Sequence, residues 1–409
     1  MSPNRILIYK ISAYIVYIMY LKRDAELLLK NILSVDKVGI ILGARQVGKT
    51  TLVKHVIGDP SAVFLNFDVE VDKARFQAAA TLSPSDGLRA LGSPSVLVID
   101  EAQRLPETSR ILKGWHDSGL PAKFLLLGSS SLDLMDQAAE SLTGRNRKLM
   151  LPPLLFGESL GTQAWAAGNP EHLCRCFSPQ LRTFLMQRLA FGSYPEVVTS
   201  ADPIQLLREL SSDYLWKDVL QAGLVKTPDL IKRLLLLLAH QAGSEVSVNE
   251  LATQLNMARP TVDRYLDLLE QTFVIFRLPA FSTNPRKEIT KNQKIFFWDT
   301  GIRNALLNAF STEEFRPDIG ALWENWVIAE VAKRNALLGY PAELFFWRNR
   351  AQSEVDLVVK QDGNLRAIEI KWSARRVSGR AFRDAYGIEI GKIHPENPFI
   401  DIFTPSSAI

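Results

Sequence analysis

The sequence predicts an α/β fold in which a parallel sheet with crossover helices is followed by a helical region and then by a second α/β segment. Three observations predict it. Continuous apolar runs, VGIIL (38–42), VLVID (96–100) and KFLLLG (123–128), alternate with helical stretches between Asp24 and about Met150. Runs apolar on both faces suit strands covered on both sides, and strand–helix alternation is the mark of a parallel sheet. Past Leu151-Pro152-Pro153 the period changes to that of helices, in LRTFLMQRLAF (181–191) and LIKRLLLLLAHQAG (230–243). Beyond Asn284-Pro285, strand-like runs return: KIFFWD (294–299), ELFFWR (343–348), EVDLVVK (354–360) and LRAIEIKW (365–372).

With 409 residues the chain is long enough for two or three domains. A hydrophobic share of 47% and a charged share of 22% are those of a globular protein and exclude a disordered one. The net charge of +4 permits contact with nucleic acid without arguing for it. Cys174 and Cys176 form neither a disulfide framework nor a zinc set and read as reduced thiols, which fits a cytoplasmic protein. Residues 6–21, ILIYKISAYIVYIMYL, carry Lys10 within the apolar run. A spanning helix needs about 20 apolar residues, so residues 1–20 read as an N-terminal extension and not as a membrane anchor.

The first chemistry lies directly after the VGIIL strand. Gly43, Gly48, Lys49 and Thr50 meet the pattern G-x-x-x-x-G-K-[ST], and TLVKHVIG continues as a helix. Glycines let a loop curl until successive backbone N–H groups face a phosphate, and the helix that starts at its end adds its dipole. Gly43, Ala44, Arg45, Gln46, Val47, Gly48, Lys49, Thr50 and Thr51 are therefore the expected ATP-binding residues, within a P-loop NTPase core. Lys49 would reach the β- and γ-phosphates and Thr50 would give its hydroxyl to Mg²⁺. Arg45 touches phosphate or faces solvent.

A second acid-bearing strand completes the expectation. Val96 to Ile99 lead into Asp100 and Glu101. A carboxylate at the tip of a buried strand is costly unless it meets a cation, so Asp100 is the expected Mg²⁺ residue. Glu101 would polarise the attacking water, which implies hydrolysis of ATP and not binding alone. Ser129, just past KFLLLG, is a candidate for contact with the γ-phosphate or the water, with Ser130 and a plain turn serine as alternatives. Arg145, in SLTGR, is the candidate for steadying transition-state charge, in its own subunit or in a neighbour; a solvated surface arginine is the other reading.

The segments GARQVGKTTL, VLVIDEAQRLP, LLLGSSS, SLTGR, PLLFGE (153–158) and FGSYPEVV (191–198) occur in this order. Together they resemble the prokaryotic AAA-type ATPases that carry a C-terminal domain of unknown function, over about Leu21 to Trp372. The resemblance implies an ASCE-type core, in which the catalytic glutamate follows the strand bearing the metal residue. It also implies a winged-helix region and a nuclease-like C-terminal fold.

The winged-helix expectation has its own basis in SVNELATQLNMARPTVDRYLDLLEQTFVIFRL (247–278), which reads as helix, turn, helix and strand. Ser247 caps the first helix and Pro260 suits the first turn of the second. FVIFRL with KIFFWD would form the wing. Arg259, Asp263, Arg264, Asp267 and Glu270 give the second helix an acid-leaning face, so packing or dimer contact stands beside DNA contact.

Near the C-terminus, Glu324 lies on an amphipathic helix, Asp356 in EVDLVV, and Glu369 with Lys371 in AIEIKW. Helix acid, strand Asp and E-x-K are the constellation of PD-(D/E)XK nucleases, in which the strand acids hold Mg²⁺ and the lysine assists. Salt-bridging on an edge strand is the alternative. KWSARR and RKEITKNQK add positive charge compatible with a phosphate backbone.

The expected domains are thus the extension to residue 20, a P-loop ATPase core over 21–160, a helical and winged-helix region over 161–285 and a nuclease-like α/β domain over 286–409. Two functions follow. One is an Mg-dependent ATPase coupled to a nuclease-like module acting at DNA; the other is an ATP-dependent switch that controls a protein partner. A homo-oligomer is compatible with both.

Overall fold

The computed structural model describes residues 6–11, 14–129, 142–214, 228–282, 293–373 and 379–400. The chain divides into two compact units, Met1–Pro152 and Pro153–Ile409. The division falls at the Leu151-Pro152-Pro153 change of period. The expected middle and C-terminal domains share one unit.

In the first unit, β1 (Ile6–Ile11) and β2 (Tyr14–Met19) pair antiparallel, with Ile6 opposite Met19. Among the described residues no helix is long and apolar enough to cross a membrane. The three apolar runs form the expected strands β3 (Val38–Leu42), β5 (Val96–Asp100) and β6 (Lys123–Gly128). The mixed run forms β4 (Val63–Asn66), which is shorter than its apolar letters because Asp68 N–H bonds back to the Asn66 side chain at 3.0 Å and turns the chain. A fifth strand, β7 (Asn146–Met150), was hidden within the basic run RNRK. It lies at a sheet edge, and only its last residues, Leu149 and Met150, are buried.

All five strands are parallel, in the order β4-β5-β6-β3-β7. This is a doubly covered sheet in which β6 separates the phosphate-loop strand β3 from the acid strand β5. Leu42 pairs with Gly128, and Ile99 with Leu126, so the C-terminal ends of β3, β5 and β6 lie side by side. Ile40, Ile41, Leu97, Val98, Ile99 and Leu126 are fully buried between the helices. Gly39 admits the close crossing of α1 (Ala25–Ser34), because a Cβ there would stand 2.4 Å from Leu125 and 2.7 Å from Ile32. Phe67, Phe76, Trp115 and Phe124 pack in succession, tilted or edge to face, at 5.3, 5.8 and 6.3 Å between ring centres, and they tie α3 (Glu70–Ala80) and α5 (Thr108–Asp117) to the sheet. The two helices α2 (Lys49–Ile57) and α4 (Pro84–Ala90) complete the unit.

The second unit opens with helices, notably α6 (Ser178–Phe191) and α7 (Pro228–His240). The expected helix–turn–helix forms as α8 (Val248–Leu255) and α9 (Arg259–Gln271), and Ser247 accepts from Glu250 N–H as its cap. Strand β9 (Ile275–Leu278) pairs with β10 (Gln293–Phe297), and β8 (Glu245–Val246) flanks β10 on its other side, giving an antiparallel sheet of order β8-β10-β9. After α10 (Thr300–Leu307) comes α11 (Ile319–Leu337), which is buried nearly all round; Trp323 and Trp326 stack at 5.2 Å on it. A second sheet has the order β11-β12-β13-β14, from β11 (Glu343–Arg348), β12 (Glu354–Gln361), β13 (Asn364–Ile370) and β14 (Ile390–Ile393). Its first three strands are antiparallel and β14 joins β13 in parallel. Phe281, Phe345, Trp347, Val355, Val358 and Phe382, the last from α12 (Arg380–Tyr386), fill its core.

Buried polar groups tie α11 and the segment after α6 to β10 and the residues just past it. Asn325 of α11 bonds both the N–H and the C=O of Phe297, at 3.0 and 2.9 Å. The FGSYP segment is structural as well: Asp299 accepts from Ser193 N–H at 2.6 Å and from Gly301 and Ile302 N–H as the cap of α10.

Candidate functional site

The phosphate loop spans the end of β3 and the start of α2. Gly48 takes φ 92°, a left-handed conformation that turns the loop into the helix. Gly43 passes so close to the next strand's end that a Cβ would stand 2.1 Å from the Leu151 carbonyl oxygen. Lys49 is buried, and its ammonium donates to the carbonyls of Gly43 and Ala44 at 2.8 and 2.9 Å. The lysine is thus folded into the cradle whose N–H groups it would complete around a phosphate.

Across the mouth of the loop, Thr50 Oγ1 donates to Asp100 Oδ2 at 2.5 Å. A hydroxyl and a carboxylate oxygen converging beside a phosphate loop are the hard oxygen donors that Mg²⁺ takes, together with substrate phosphates. The residues present fit that ion. Glu101 follows in the left-handed region, φ 52° and ψ 42°, a costly conformation for a side chain with a Cβ. The turn swings its carboxylate off the strand axis. Glu101 Oε2 accepts from Gln103 Nε2 at 2.5 Å and from Ser129 Oγ at 3.1 Å. Ser129 is buried at the tip of β6, between the loop strand and the acid strand, so the sheet order itself brings it to Glu101. Ser130 lies outside the described residues.

Arg45 is neither solvated nor isolated: its guanidinium lies 3.9 Å from Asp68 and 3.9 Å from Glu101. Arg104 donates to the same Asp68 at 2.8 Å. Ala44, Gln46, Val47 and Thr51 sit where the spacing placed them, on the loop and the first turn of α2.

Arg145 stands apart from the phosphate loop of its own chain. It immediately precedes β7, whose first residue pairs with Val38, the first residue of β3. It therefore lies at the N-terminal edge of the sheet, about 16 Å along the strands from the phosphate loop. Its Nε donates to Asp117 at 2.6 Å. The structure does not bring it to the phosphates of its own chain.

The C-terminal set is brought together. Carboxylate oxygens of Glu324, Glu354 and Asp356 all lie within 4.8 Å of one another. Asp356 Oδ2 accepts from Ile370 N–H at 2.7 Å and from Lys371 Nζ at 3.0 Å, and Lys371 Nζ is 3.9 Å from buried Glu369. Lys294 of β10 also enters, with Nζ 2.9 Å from Glu324 and 2.5 Å from Glu354. Burial, with Asp356 and Glu354 adding to it against the pull of Lys294, pushes Glu324 up to about 7. Burial opposes the charge of Lys294 and of Lys371, yet the carboxylates around each outweigh it and hold both above the ordinary lysine range. Of the two stretches expected to supply positive charge to a nucleic acid, one buries its described lysine, Lys294, among carboxylates, and the other pairs Lys371, which stays partly exposed, with Asp356.

The acid-leaning face of α9 is also engaged. Arg277 of β9 pairs with Asp267 and, at 2.7 Å, with Glu270, and Arg259 lies 3.7 Å from Asp263.

A model of the AAA domain matches residues 35–160, and two models of domains of unknown function, DUF8612 and DUF4143, match 182–313 and 319–397. The uncharacterized protein Rv2008c of Mycobacterium tuberculosis is 32% identical over 375 residues, which is 89% of this chain and 77% of that protein. The chain belongs to this family of AAA-domain proteins. The uncharacterized protein MJ1544 of Methanocaldococcus jannaschii is 24% identical over 90% of this chain and 82% of its own length. Among solved structures, the Walker-type ATPase PABY2304 of Pyrococcus abyssi is 16% identical, with a TM-score of 0.49 over 70% of this chain and 96% of that one.

In this AAA-domain protein, four contributors escaped the sequence reading. Gln103 gave a signal, since it stands two residues past the acid pair. Arg23, whose guanidinium donates into the phosphate loop from behind, is one cation among several in YLKRD. Glu354 precedes Asp356 at the spacing that puts both on one face of a strand. Lys294 had no signal, because only the fold brings β10 against α11 and β12.

Proposed function

We propose that the first unit binds ATP with Mg²⁺ and hydrolyses it to ADP and phosphate. The observation that carries this reading is the 2.5 Å approach of Thr50 Oγ1 to Asp100 Oδ2 at the mouth of the loop that buries Lys49. Backbone N–H groups from Gly43 to Thr51 and the dipole of α2 would bind the phosphates, and Lys49 would exchange its carbonyl partners for phosphate oxygens. Thr50 and Asp100 would hold Mg²⁺, which when bound neutralises charge on the transferred phosphoryl group. Glu101 is the base that orients and deprotonates the attacking water. Gln103 and Ser129, both on its Oε2, fix the carboxylate and leave Oε1 clear of these two bonds. An assay of phosphate release tests the assignment. Wild type should turn over ATP, and Glu101→Gln should bind it with turnover greatly reduced.

Of the two uses of that cycle, a switch acting on a protein partner is favoured over cleavage of nucleic acid. Lys294, buried among the carboxylates of the second unit, supports it. DNA cleavage that needs Mg²⁺ and is lost in Lys371→Ala would reverse the preference.

A further inference from the structure

We propose that Lys294 is the resident cation of the C-terminal carboxylate cluster, so that the second unit takes no divalent metal at Glu324, Glu354 and Asp356. The three carboxylates, one from α11 and two from β12, are near enough to share one ion. The space between two of them is already filled by the Lys294 ammonium, at 2.9 Å from Glu324 and 2.5 Å from Glu354. Mg²⁺ demands oxygens at about 2.0–2.1 Å in octahedral array and does not tolerate an ammonium among its ligands. The fold's implied metal does not fit these residues as they stand.

Lys294 cannot easily leave. It is 3% exposed and projects from the central strand of its sheet, with Leu278 opposite on one side and Glu245 on the other. Its ammonium also lies 5.5 Å from the centre of the Phe346 ring. Asn325 of α11 fixes the same strand at Phe297 by both backbone groups. The third acid is served from the other side by Lys371 and by the backbone N–H of Ile370.

The charge count agrees. Four carboxylates, Glu324, Glu354, Asp356 and Glu369, meet three cations, Lys294, Lys371 and Arg348, the last with its Nε 3.7 Å from Glu354. The one negative charge left over needs no divalent ion, because a proton retained on Glu324 relieves it. The role of the cluster is to clamp β10 to α11 and β12, with a lysine from a distant strand standing where a helix acid and D…E-x-K spacing would otherwise place a metal.

The test is Mn²⁺ binding, measured by electron paramagnetic resonance on the full-length chain. Nucleotide-free protein keeps the phosphate loop from contributing a strong site, and failure of ATP turnover would leave the readout intact. Wild type and Glu324→Gln should show the same Mn²⁺ uptake. Lys294→Met should gain one Mn²⁺ per chain, and the gain should vanish in Lys294→Met with Asp356→Asn. A Mn²⁺ bound by wild type and lost in Glu324→Gln overturns the proposal. So does a folded Lys294→Met that gains none. If Lys294→Met does not fold, the comparison of wild type with Glu324→Gln still decides.

Discussion

The guanidinium of Arg23 donates 2.8 Å hydrogen bonds to the carbonyl of Val47, in the middle of the phosphate loop, and to that of Pro152, beyond the end of β7. The loop's curvature is therefore held partly by a buried cation that bonds its backbone. Arg23→Ala leaves two buried carbonyls without these partners, and a loss of about 3 kcal/mol is expected. Thermal unfolding should show it, and ATP affinity should fall at temperatures where the variant is folded. Arg23→Lys, with one donor group where a fork is needed, should recover little.

Glu101→Gln should reduce the rate of ATP hydrolysis by about 10²–10⁴-fold, the usual contribution of a positioned general base, with affinity nearly unchanged. Stopped-flow or steady-state phosphate release measures the first quantity and calorimetry the second. Turnover at the wild-type rate would hand the role to another residue.

Gly192 takes φ 71°, and a Cβ there would stand 1.9 Å from an Asp299 carboxylate oxygen. Gly192→Ala should therefore cost at least about 3 kcal/mol or prevent folding of the second unit. Its effect on nucleotide binding by the first unit separates this role from a catalytic one: that binding should survive.

Glu324 supplies a pH dependence with a definite sign. Its carboxyl, held up at about 7, keeps a proton in the folded state that an unfolded chain releases near 4.5. The native state thus binds more protons between those values, and the favourable contribution, present below about 4.5, is lost as pH rises through about 7. The span is on the order of 2–3 kcal/mol at most. Urea unfolding of wild type at pH 5 and pH 8 should show the decline, and Glu324→Gln should flatten it.

How much of this was readable before the fold was known depends on the range of the interaction. The phosphate loop and the acid strand are local patterns, and buried parallel strands announce themselves as unbroken apolar runs, so β3, β5 and β6 were legible from their letters. β7 was not, because an edge strand tolerates Asn146, Arg147 and Lys148 on its open side. That one strand also sets the place of Arg145, at the edge of the sheet away from its own chain's phosphate loop, which follows from register and from no local feature. Glu324, Asp356, Glu369 and Lys371 were legible as a set because strand alternation and helix amphipathicity carry them. Lys294 comes from a strand 30 residues before Glu324 in another sheet, and a contact of that kind is a property of packing.

The sharpest test is isothermal titration of the folded full-length chain with ATP in the presence of Mg²⁺. Uptake of one nucleotide per chain is predicted, abolished in Lys49→Ala and made insensitive to Mg²⁺ in Asp100→Asn. A wild-type chain that takes up neither ATP nor ADP would contradict the assignment of Gly43–Thr51 as a phosphate cradle.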